Sequence, residues 1–501
     1  MGGMPPVGPP RRRSRTAPSQ RTRAAEPTRF AAYTVLRAVA DGAYANIELP
    51  TVLRDRRLDP RDAAFATELT FGTLRWQGLY DAIIAAASGR QVESIDPAVL
   101  DCLRLGTHQL LRMRVPAHAA ADQSVGLAKV VAGAGAGGFV NAVLRRIGER
   151  DLDAWVDAVA PSGSDPAALA ARHSHPAWVV AALRAALLGH GAATPESVHD
   201  ELVALLESDN VPPEVHLVAR PGLADVESLL ADRGAGEARP SALSRIGVVL
   251  GSGDPSRIAA VRDGRAAVQD VGSQLLALAL AEAEVRGGGS GVGVETPERW
   301  LDLCAGPGGK AGVLAGLAVA AGADLTAVEV SPHRADLVRS SLRAMTEYAA
   351  GSGRSIEVRT ADGREIGEAE PTAYSRVLVD APCTGLGALR RRPEARWRRT
   401  PADLAQLGPL QRALLASALD AVAPGGVVGY ATCSPHLAET TFVVGDVLKK
   451  RSDVEVLDAR PLFRDASGRE IEGVGPGPYV QLWPHRHGTD AMFFALLRKR
   501  S

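Results

Sequence analysis

Hydrophobic positions along this chain follow two different rhythms. Between residue 30 and about residue 160 they recur at helical spacing. Ala32, Val35, Leu36 and Val39 occupy positions i, i+3, i+4 and i+7 of one helix face, and Asp41-Gly42 ends that helix. The same rhythm predicts helices over 60–73, 76–87, 97–113, 118–131 and 138–148. Residues 160–175 lose the rhythm and read as a linker. A mixed stretch follows to about 265, with helices over 176–188 and 195–208 and short β-rich runs at 215–218 and 246–250. From 267 onward, short apolar runs alternate with helical segments. Strands are predicted at 300–303, 325–328, 356–360, 377–379 and 427–431, a Pro424-Gly425-Gly426 turn precedes the last of these, and a helix spans 436–450. Ser331-Pro332 and Thr400-Pro401-Ala402-Asp403 open helices, with a capping residue followed by proline. Such β/α alternation implies an open, mostly parallel sheet with helices on both faces.

Composition narrows the class. The chain has 501 residues, 46% hydrophobic, with a formal net charge of zero. That length suits two or three domains. No apolar run approaches the roughly 18 residues a membrane helix needs, so no membrane partner is expected. With no overall positive charge, nucleic-acid binding must come from local basic patches. Residues 1–28 are rich in Pro, Arg and Ser and are expected to be a disordered, basic, solvated tail. The four cysteines, Cys102, Cys304, Cys383 and Cys433, show neither metal-ligand spacing nor a disulfide framework. They suggest a reducing cytoplasm and no metal. His108 and His118, isolated in the helical region, are read as structural or surface residues.

Candidate chemistry begins at LDLCAGPGGK, residues 301–310. A strand runs into a glycine turn, and a helix starts at once. Such a loop lets a ligand approach the backbone and faces it with the free N–H groups of the helix start, while Lys310 adds a cation. The spacing is neither GxGxxG nor the phosphate-binding GxxxxGK[ST]. The next three strands end at Glu329, Asp362 and Asp380. In an open α/β sheet these ends line one crevice. Glu329 lies 23 residues beyond Gly306, near the spacing of roughly 20 at which an acid accepts ribose hydroxyls. Asp362 can accept from an adenine amino group, and Asp380 faces the reacting end.

Two cysteines follow strands into turns on the same edge, Cys383 in DAPCTG and Cys433 in YATCSP. Two thiols beside an aspartate suit covalent attack on an unsaturated ring, because a thiolate is a strong nucleophile near neutral pH. Cys304 is read as a lining residue of the glycine loop and Cys102 as core. Residues 389–399, LRRRPEARWRR, set six arginines against one glutamate beside the cleft. A phosphate-gripping loop containing Arg390, Arg391, Arg392 and Arg396 is expected there.

These motifs resemble a known family. LDLCAGPGGK, AVEVSPHRADLVRSSLRA, TADGRE, RVLVDAPCTGLGALRRRPEARW, GGVVGYATCSPHLAET and LWPHRHGTDAMFFALL are similar to the S-adenosylmethionine-dependent RNA (cytosine-5) methyltransferases. FATELTFGTLRW, RLGTHQLLRMRVPAHAAADQSVGLAK and GFVNAVLRRI resemble the all-α domain of the antitermination factor NusB. Together they point to the ribosomal small-subunit RNA methyltransferase B, or Sun, family. The resemblance implies a disordered tail at 1–28, a NusB-like all-α RNA-binding domain at 29–160, a small α+β subdomain at 174–265 and a Rossmann-like methyltransferase domain at 266–501. It implies S-adenosylmethionine held by Cys304, Ala305, Gly306, Pro307, Gly308, Gly309, Lys310, Glu329, Arg334, Asp362 and Asp380. It implies Cys433 as the nucleophile toward C6 of a cytosine, Cys383 as the base that completes product release, and Asp380 as a hydrogen-bonding partner of the ring. Arg145 and Arg146 are candidate RNA contacts at a helix end. A cytoplasmic monomer acting on small-subunit ribosomal RNA, 16S rRNA, is expected. Small departures accompany the match: Glu329 stands where Asp is commoner, Thr384 follows the thiol in place of Ser, and residues 218–220 read Val-Ala-Arg. The competing readings are the same chemistry on transfer RNA or another RNA, a non-catalytic antitermination-like RNA-binding factor, and a nicotinamide oxidoreductase.

Overall fold

A computed structural model describes residues 26–251, 253–286 and 297–501. The expected tail up to residue 25 and most of the glycine-rich stretch at 286–298 lie outside the described residues. The chain divides into two compact units, one ending at Val159 and the other starting at Ala160.

The first unit is helical throughout: Pro27–Ala40, Ala45–Asp55, Pro60–Arg75, Gln77–Ser88, Pro97–Leu111, Ala117–Val131, Ala136–Ile147 and Leu152–Val159. The apolar stripe of the first helix does face the core, with Ala32, Val35, Leu36 and Val39 all buried. That helix begins at Pro27 because the Glu26 carboxylate accepts the backbone N–H groups of Thr28 and Arg29, two of the donors a helix start leaves unpaired. Sequence reading passes over Ala45–Asp55, since Pro50 interrupts its pattern, and over the short Leu152–Val159. His108 is buried, with Nδ1 2.8 Å from the Tyr80 hydroxyl, so it is structural.

The second unit corrects the expected linker. Residues 166–173 form the helix Pro166–His173, capped by Asp165. With Ala177–Gly189 and Val198–Ser208 it builds a core that also contains Leu386, Leu389, Ala395, Trp483 and Ala491. These helices therefore pack against the arginine-rich loop. The small sheet is made by β1 (Val215–Ala219), β2 (Ala238–Pro240), β3 (Gly247–Leu250) and β4 (Ala266–Val268), in the order β2-β3-β1-β4. Its last strand lies beyond the expected boundary at 265.

The large sheet contains β5 (Arg299–Asp302), β6 (Asp324–Glu329), β7 (Ile356–Thr360), β8 (Tyr374–Asp380), β9 (Val422–Thr432), β10 (Val454–Leu457), β11 (Val480–Gln481) and β12 (Phe493–Lys499). Its order is β10-β12-β9-β8-β5-β6-β7, with β11 pairing on β12. Strands β5 to β9 run parallel and the others antiparallel. One face packs on the helices Val271–Glu282, Gly309–Ala320 and Pro332–Gly351, the other on Pro401–Ala421 and Thr441–Leu448. The chain runs outward through β5, β6 and β7, then returns to lay β8 on the other side of β5. The crevice of an open α/β sheet opens at this reversal. The Pro424-Gly425-Gly426 turn proves to be an irregularity inside β9, where pairing with β8 jumps from Tyr374–Val422 to Arg376–Val427.

The small sheet is held against the glycine-loop helix through the turn after β1. Arg220 is buried, donating to the Gly264 and Ser341 carbonyls at 3.0 and 2.5 Å and to the Ser341 hydroxyl at 2.8 Å. A Cβ at Gly316 would sit 2.2 Å from the Pro221 carbonyl oxygen. Overpacking of a close-packed contact costs about 1–3 kcal/mol. Gly316→Ala is therefore expected to destabilise the protein by about that amount, measured by urea unfolding, whereas Gly351→Ala, which meets nothing within 4 Å, leaves the unfolding midpoint near wild type.

Candidate active site

Each sheet strand delivers its residues to one edge, and strand order sets their sequence across it. From one side to the other lie Cys433 after β9, Asp380 and Cys383 after β8, the glycine loop and Lys310 after β5, Glu329 at the end of β6, and Asp362 after β7.

The glycine loop is tight because its neighbours leave no room. A Cβ on Gly306 would lie 2.2 Å from the Glu329 carboxylate and 2.8 Å from the Arg334 guanidinium. Gly308 has φ of 107°, a left-handed conformation that suits glycine. Arg334 donates to the Gly306 carbonyl at 2.8 Å and lies 3.4 Å from the Glu329 carboxylate. Glu329 is buried and accepts the Ser331 N–H at 2.9 Å, doing the capping that the Ser331 side chain does not. Asp362 is gripped by Arg364, whose backbone N–H and guanidinium both reach it; those bonds hold its carboxyl below the usual range.

Lys310 points inward. Its ammonium lies 2.8 Å from Asp380. Burial opposes its charge, but Asp380 outweighs burial and raises the ammonium pKa above the ordinary value. Asp302, within the LDLC segment but not singled out by sequence reading, is buried just beneath. Neither of its carboxylate oxygens meets a hydrogen-bond donor at good geometry among the described residues. Burial, with Asp380 adding to it and Lys310 opposing, raises Asp302 to about 7. Cys304 is pushed far above the ordinary thiol range by burial and then by Asp302, Asp380 and Glu329, which makes it a poor nucleophile.

The two other thiols touch. Cys383 Sγ and Cys433 Sγ are 3.4 Å apart, and both are partly exposed. Their surroundings differ in sign. A hydrogen bond from Cys383 draws Cys433 below the ordinary thiol value; burial and Asp380 oppose this, while Lys310 and Arg392 assist it. The same bond, then burial, the Cys433 charge, Glu439 and Asp380 push Cys383 well above. The same contact thus moves the two thiols in opposite directions, Cys433 toward ionisation and Cys383 away from it.

The segment carrying Cys383 is fastened on both sides. Glu439 accepts the Thr384 N–H at 2.7 Å and the Thr384 hydroxyl at 2.5 Å. Gln411 donates to the Pro382 carbonyl at 2.8 Å and to Glu439 at 3.2 Å. The expected helix at 436–450 gives way here to a short turn, Leu437–Glu439, and the helix proper is Thr441–Leu448. The Glu439 carbonyl takes the Tyr430 hydroxyl at 2.8 Å in place of a helical partner. Glu439 was visible in sequence only as one acid in a helical pattern.

The arginine loop corrects an expectation. Arg396 is fully buried and donates to the Ser174 and Asp209 carbonyls, both at 3.1 Å, and to Asn210 Oδ1 at 2.8 Å. Arg390 is buried and donates to the Gly488 carbonyl at 3.0 Å. Arg391 bridges Asp270 at 2.5 Å and Asp490 at 3.0 Å. These three tie the loop to the protein and are not a phosphate grip; a buried guanidinium needs such carbonyl and carboxylate partners. Arg392 is exposed, as are Arg145 and Arg146 on the first unit, and Arg146 also donates to the Ala87 carbonyl. Among the described residues no cluster of His, Cys, Asp and Glu could hold a metal ion, and no helix is long and apolar enough to cross a membrane.

Comparison with known proteins agrees with this architecture. Residues 293–498 match the family described as 16S rRNA methyltransferase RsmB/F, and residues 26–149 match the NusB family. The putative methyltransferase Rv1407 of Mycobacterium tuberculosis H37Rv is 53% identical over 484 residues, which cover 96% of this chain and 98% of that protein. The ribosomal RNA small subunit methyltransferase B of Pseudomonas syringae pv. tomato is 31% identical, over 94% of this chain and 96% of its own length. The crystal structure of PH0851 shares the fold, with a TM-score of 0.75 at 21% identity over 95% of this chain and 99% of that one. The chain is therefore a methyltransferase of the RsmB/F family, in the ribosomal RNA small subunit methyltransferase B group that carries an N-terminal NusB domain.

Proposed function

We propose that this protein transfers a methyl group from S-adenosylmethionine to C5 of a cytosine in small-subunit (16S) ribosomal RNA, through a covalent bond between Cys433 and C6. The observation that carries this reading is the 3.4 Å contact of two thiols beside Lys310 and Asp380. A single acid–base group would serve a reaction on a more reactive centre; a paired thiolate and thiol serve addition to a ring followed by elimination.

The residues of the crevice suit the methyl donor. Gly306 and Gly308 leave a cradle that a Cβ would fill, and the N–H groups starting the helix Gly309–Ala320 open onto it. Both Glu329 oxygens retain a lone pair for a ribose hydroxyl. Arg334 fixes that carboxylate and the Gly306 carbonyl together. Asp362 remains the candidate acceptor for an adenine amino group, Asp380 with Lys310 the polar pair at the other end, and Cys304, Ala305, Pro307 and Gly309 line the turn. When bound, S-adenosylmethionine supplies an electrophilic methyl group.

Cys433, as the thiolate, adds to C6 and places the ring's electrons on C5. Asp380, anchored by Lys310, is positioned to hydrogen-bond the N3 side of the ring, where charge builds. Bond formation consumes the Cys433 charge. That removes both the hydrogen bond and the repulsion that oppose ionisation of Cys383, so Cys383 releases its own proton to solvent and becomes available, as a thiolate, to act as a base. It takes the C5 proton after methylation, the C6–S bond breaks, and the double bond re-forms. Reaching the cleft requires an unstacked base, which loop or single-stranded RNA supplies at low cost. Arg392 is a candidate phosphate contact in the methyltransferase domain, and Arg145 and Arg146 are separate candidates in the NusB domain. The protein is read as a cytoplasmic monomer without a metal.

Calorimetry should detect S-adenosylmethionine and not NAD. Glu329→Ala should weaken that binding by about 1.5–3 kcal/mol, the worth of hydrogen bonds to a charged group. Tight NAD binding would sink the reading. On denaturing gels with 16S rRNA, Cys433→Ala should show no protein–RNA adduct and no methylation. Cys383→Ala should accumulate the adduct and lose about 10²–10⁴-fold in turnover, the range for a lost acid–base group. Because Cys383→Ala also removes the donor that lowers Cys433, its adduct-formation rate should reach half-maximum at higher pH than in the wild type. A transcript of transfer RNA run in parallel tests the substrate; preference for it would overturn the ribosomal assignment.

A further inference from the structure

Glu439 is a carboxylate with 1% exposure, and among the described residues no cation pairs with it. Burying a charge without a counter-ion is costly unless hydrogen bonds replace its water. Here the donors are specific. Two of the three come from Thr384, the residue after Cys383, and the third from Gln411, which also holds the carbonyl of Pro382, the residue before Cys383. Thr384 Oγ1 lies 3.3 Å from the hydroxyl of Ser434, the residue after Cys433. Arg399 donates to the Thr384 carbonyl at 3.2 Å. The backbone on each side of the Cys383 thiol is therefore anchored by one carboxylate and the amide bonded to it, six residues beyond Cys433.

We propose that Glu439 is the positioning residue for Cys383, holding the Pro382–Thr384 segment so that this thiol acts on the Cys433 adduct in the second half of the reaction. The proposal rests on the two-thiol reading above. A carboxylate is suited to the task because it offers only acceptors: Thr384 N–H, Thr384 O–H and the Gln411 amide can all be satisfied at once. A glutamine at this place would turn an NH₂ group toward one of those donors and release one side of the segment. Its negative charge also acts on Cys383, together with that of Asp380, against deprotonation before the adduct exists. Cys433 is drawn the other way, first by its hydrogen bond with Cys383 and less by Lys310 and Arg392. One side chain thus contributes both the place of the second thiol and part of the negative charge that opposes its ionisation.

The test separates the two halves of the reaction. With 16S rRNA and S-adenosylmethionine, Glu439→Gln is expected to form the Cys433 adduct and transfer one methyl group at a rate within about twofold of wild type. Release should slow by about tenfold or more, less than the roughly 10²–10⁴-fold of a lost acid–base group because Cys383 remains, so that adduct accumulates as in Cys383→Ala. The KM for S-adenosylmethionine should be unchanged. In a Cys433→Ser background, the pH at which iodoacetamide alkylates Cys383 half-maximally should fall when Glu439→Gln is added. Thr384→Val, which removes one donor and keeps the fold of the turn, should show the same accumulation more weakly, and it decides the matter if Glu439→Gln does not fold. Unchanged release overturns the proposal, as does a parallel loss of adduct formation, S-adenosylmethionine affinity and release, which marks a merely structural role. Absence of adduct in both wild type and Cys383→Ala overturns the two-thiol reading itself, a result distinct from either.

Discussion

Everything at this site depends on the pairing of β8, which lies parallel between β5 and β9. That arrangement puts the end of β8 against the glycine loop on one side and against the Cys433 turn on the other. Asp380 can then reach Lys310, and Cys383 can reach Cys433, although 70 and 50 residues separate the partners in the chain. A one-strand change in order would separate the thiols by a strand spacing of about 5 Å or more and dissolve the pair. The residues proposed for the cofactor fall on the β5–β6–β7 side and the two proposed reacting thiols on the β8–β9 side of the reversal in strand order.

The thiols themselves are alike in chemistry, and the electrostatics of their neighbours tell them apart. Their mutual hydrogen bond moves them furthest, Cys433 down and Cys383 up; Lys310 and Arg392 add to the first effect against burial and Asp380, and burial, Glu439 and Asp380 add to the second. Their contact links the two titrations, since the proton that one sulfur donates is what stabilises charge on the other. Cys304, only a few residues from Lys310 in sequence, is surrounded by Asp302, Asp380 and Glu329 and stays protonated. Of three cysteines on one sheet edge, Cys304 and Cys383 are thus held toward the thiol and Cys433 alone is drawn toward ionisation, by burial, the Cys383–Cys433 hydrogen bond and the neighbouring charges.

The loop at 389–399 shows the same economy with arginines. Its sequence reads as a basic surface, yet Arg390, Arg391 and Arg396 are turned inward to carbonyls and carboxylates of other segments. Arg396 in particular joins the loop to the helices Pro166–His173 and Val198–Ser208 by reaching Ser174, Asp209 and Asn210 at their ends. The helical stretch before the small sheet thereby serves as a buttress for the catalytic edge, which is why it shares a core with Leu386, Leu389 and Trp483.

Local pattern was enough to read most helices of the first unit, the parallel strands and the polar residues at the strand ends, because each of these follows from periodicity or from turn chemistry over a few residues. The helix Ala45–Asp55 was hidden by Pro50, and Pro166–His173 by its brevity and its low-contrast Ala-rich composition. The motifs around Gly306, Cys383 and Cys433 likewise carried the family in the sequence itself. What only the tertiary structure decided was partnership: which arginines are buried, that Asp302 is buried and raised by burial and by Asp380, that Glu439 leaves the helical pattern to grip Thr384, and in which direction each thiol is shifted. Charge and hydrogen-bond partners depend on distances between strand ends that are far apart along the chain, and a linear sequence holds the residue types but not those distances.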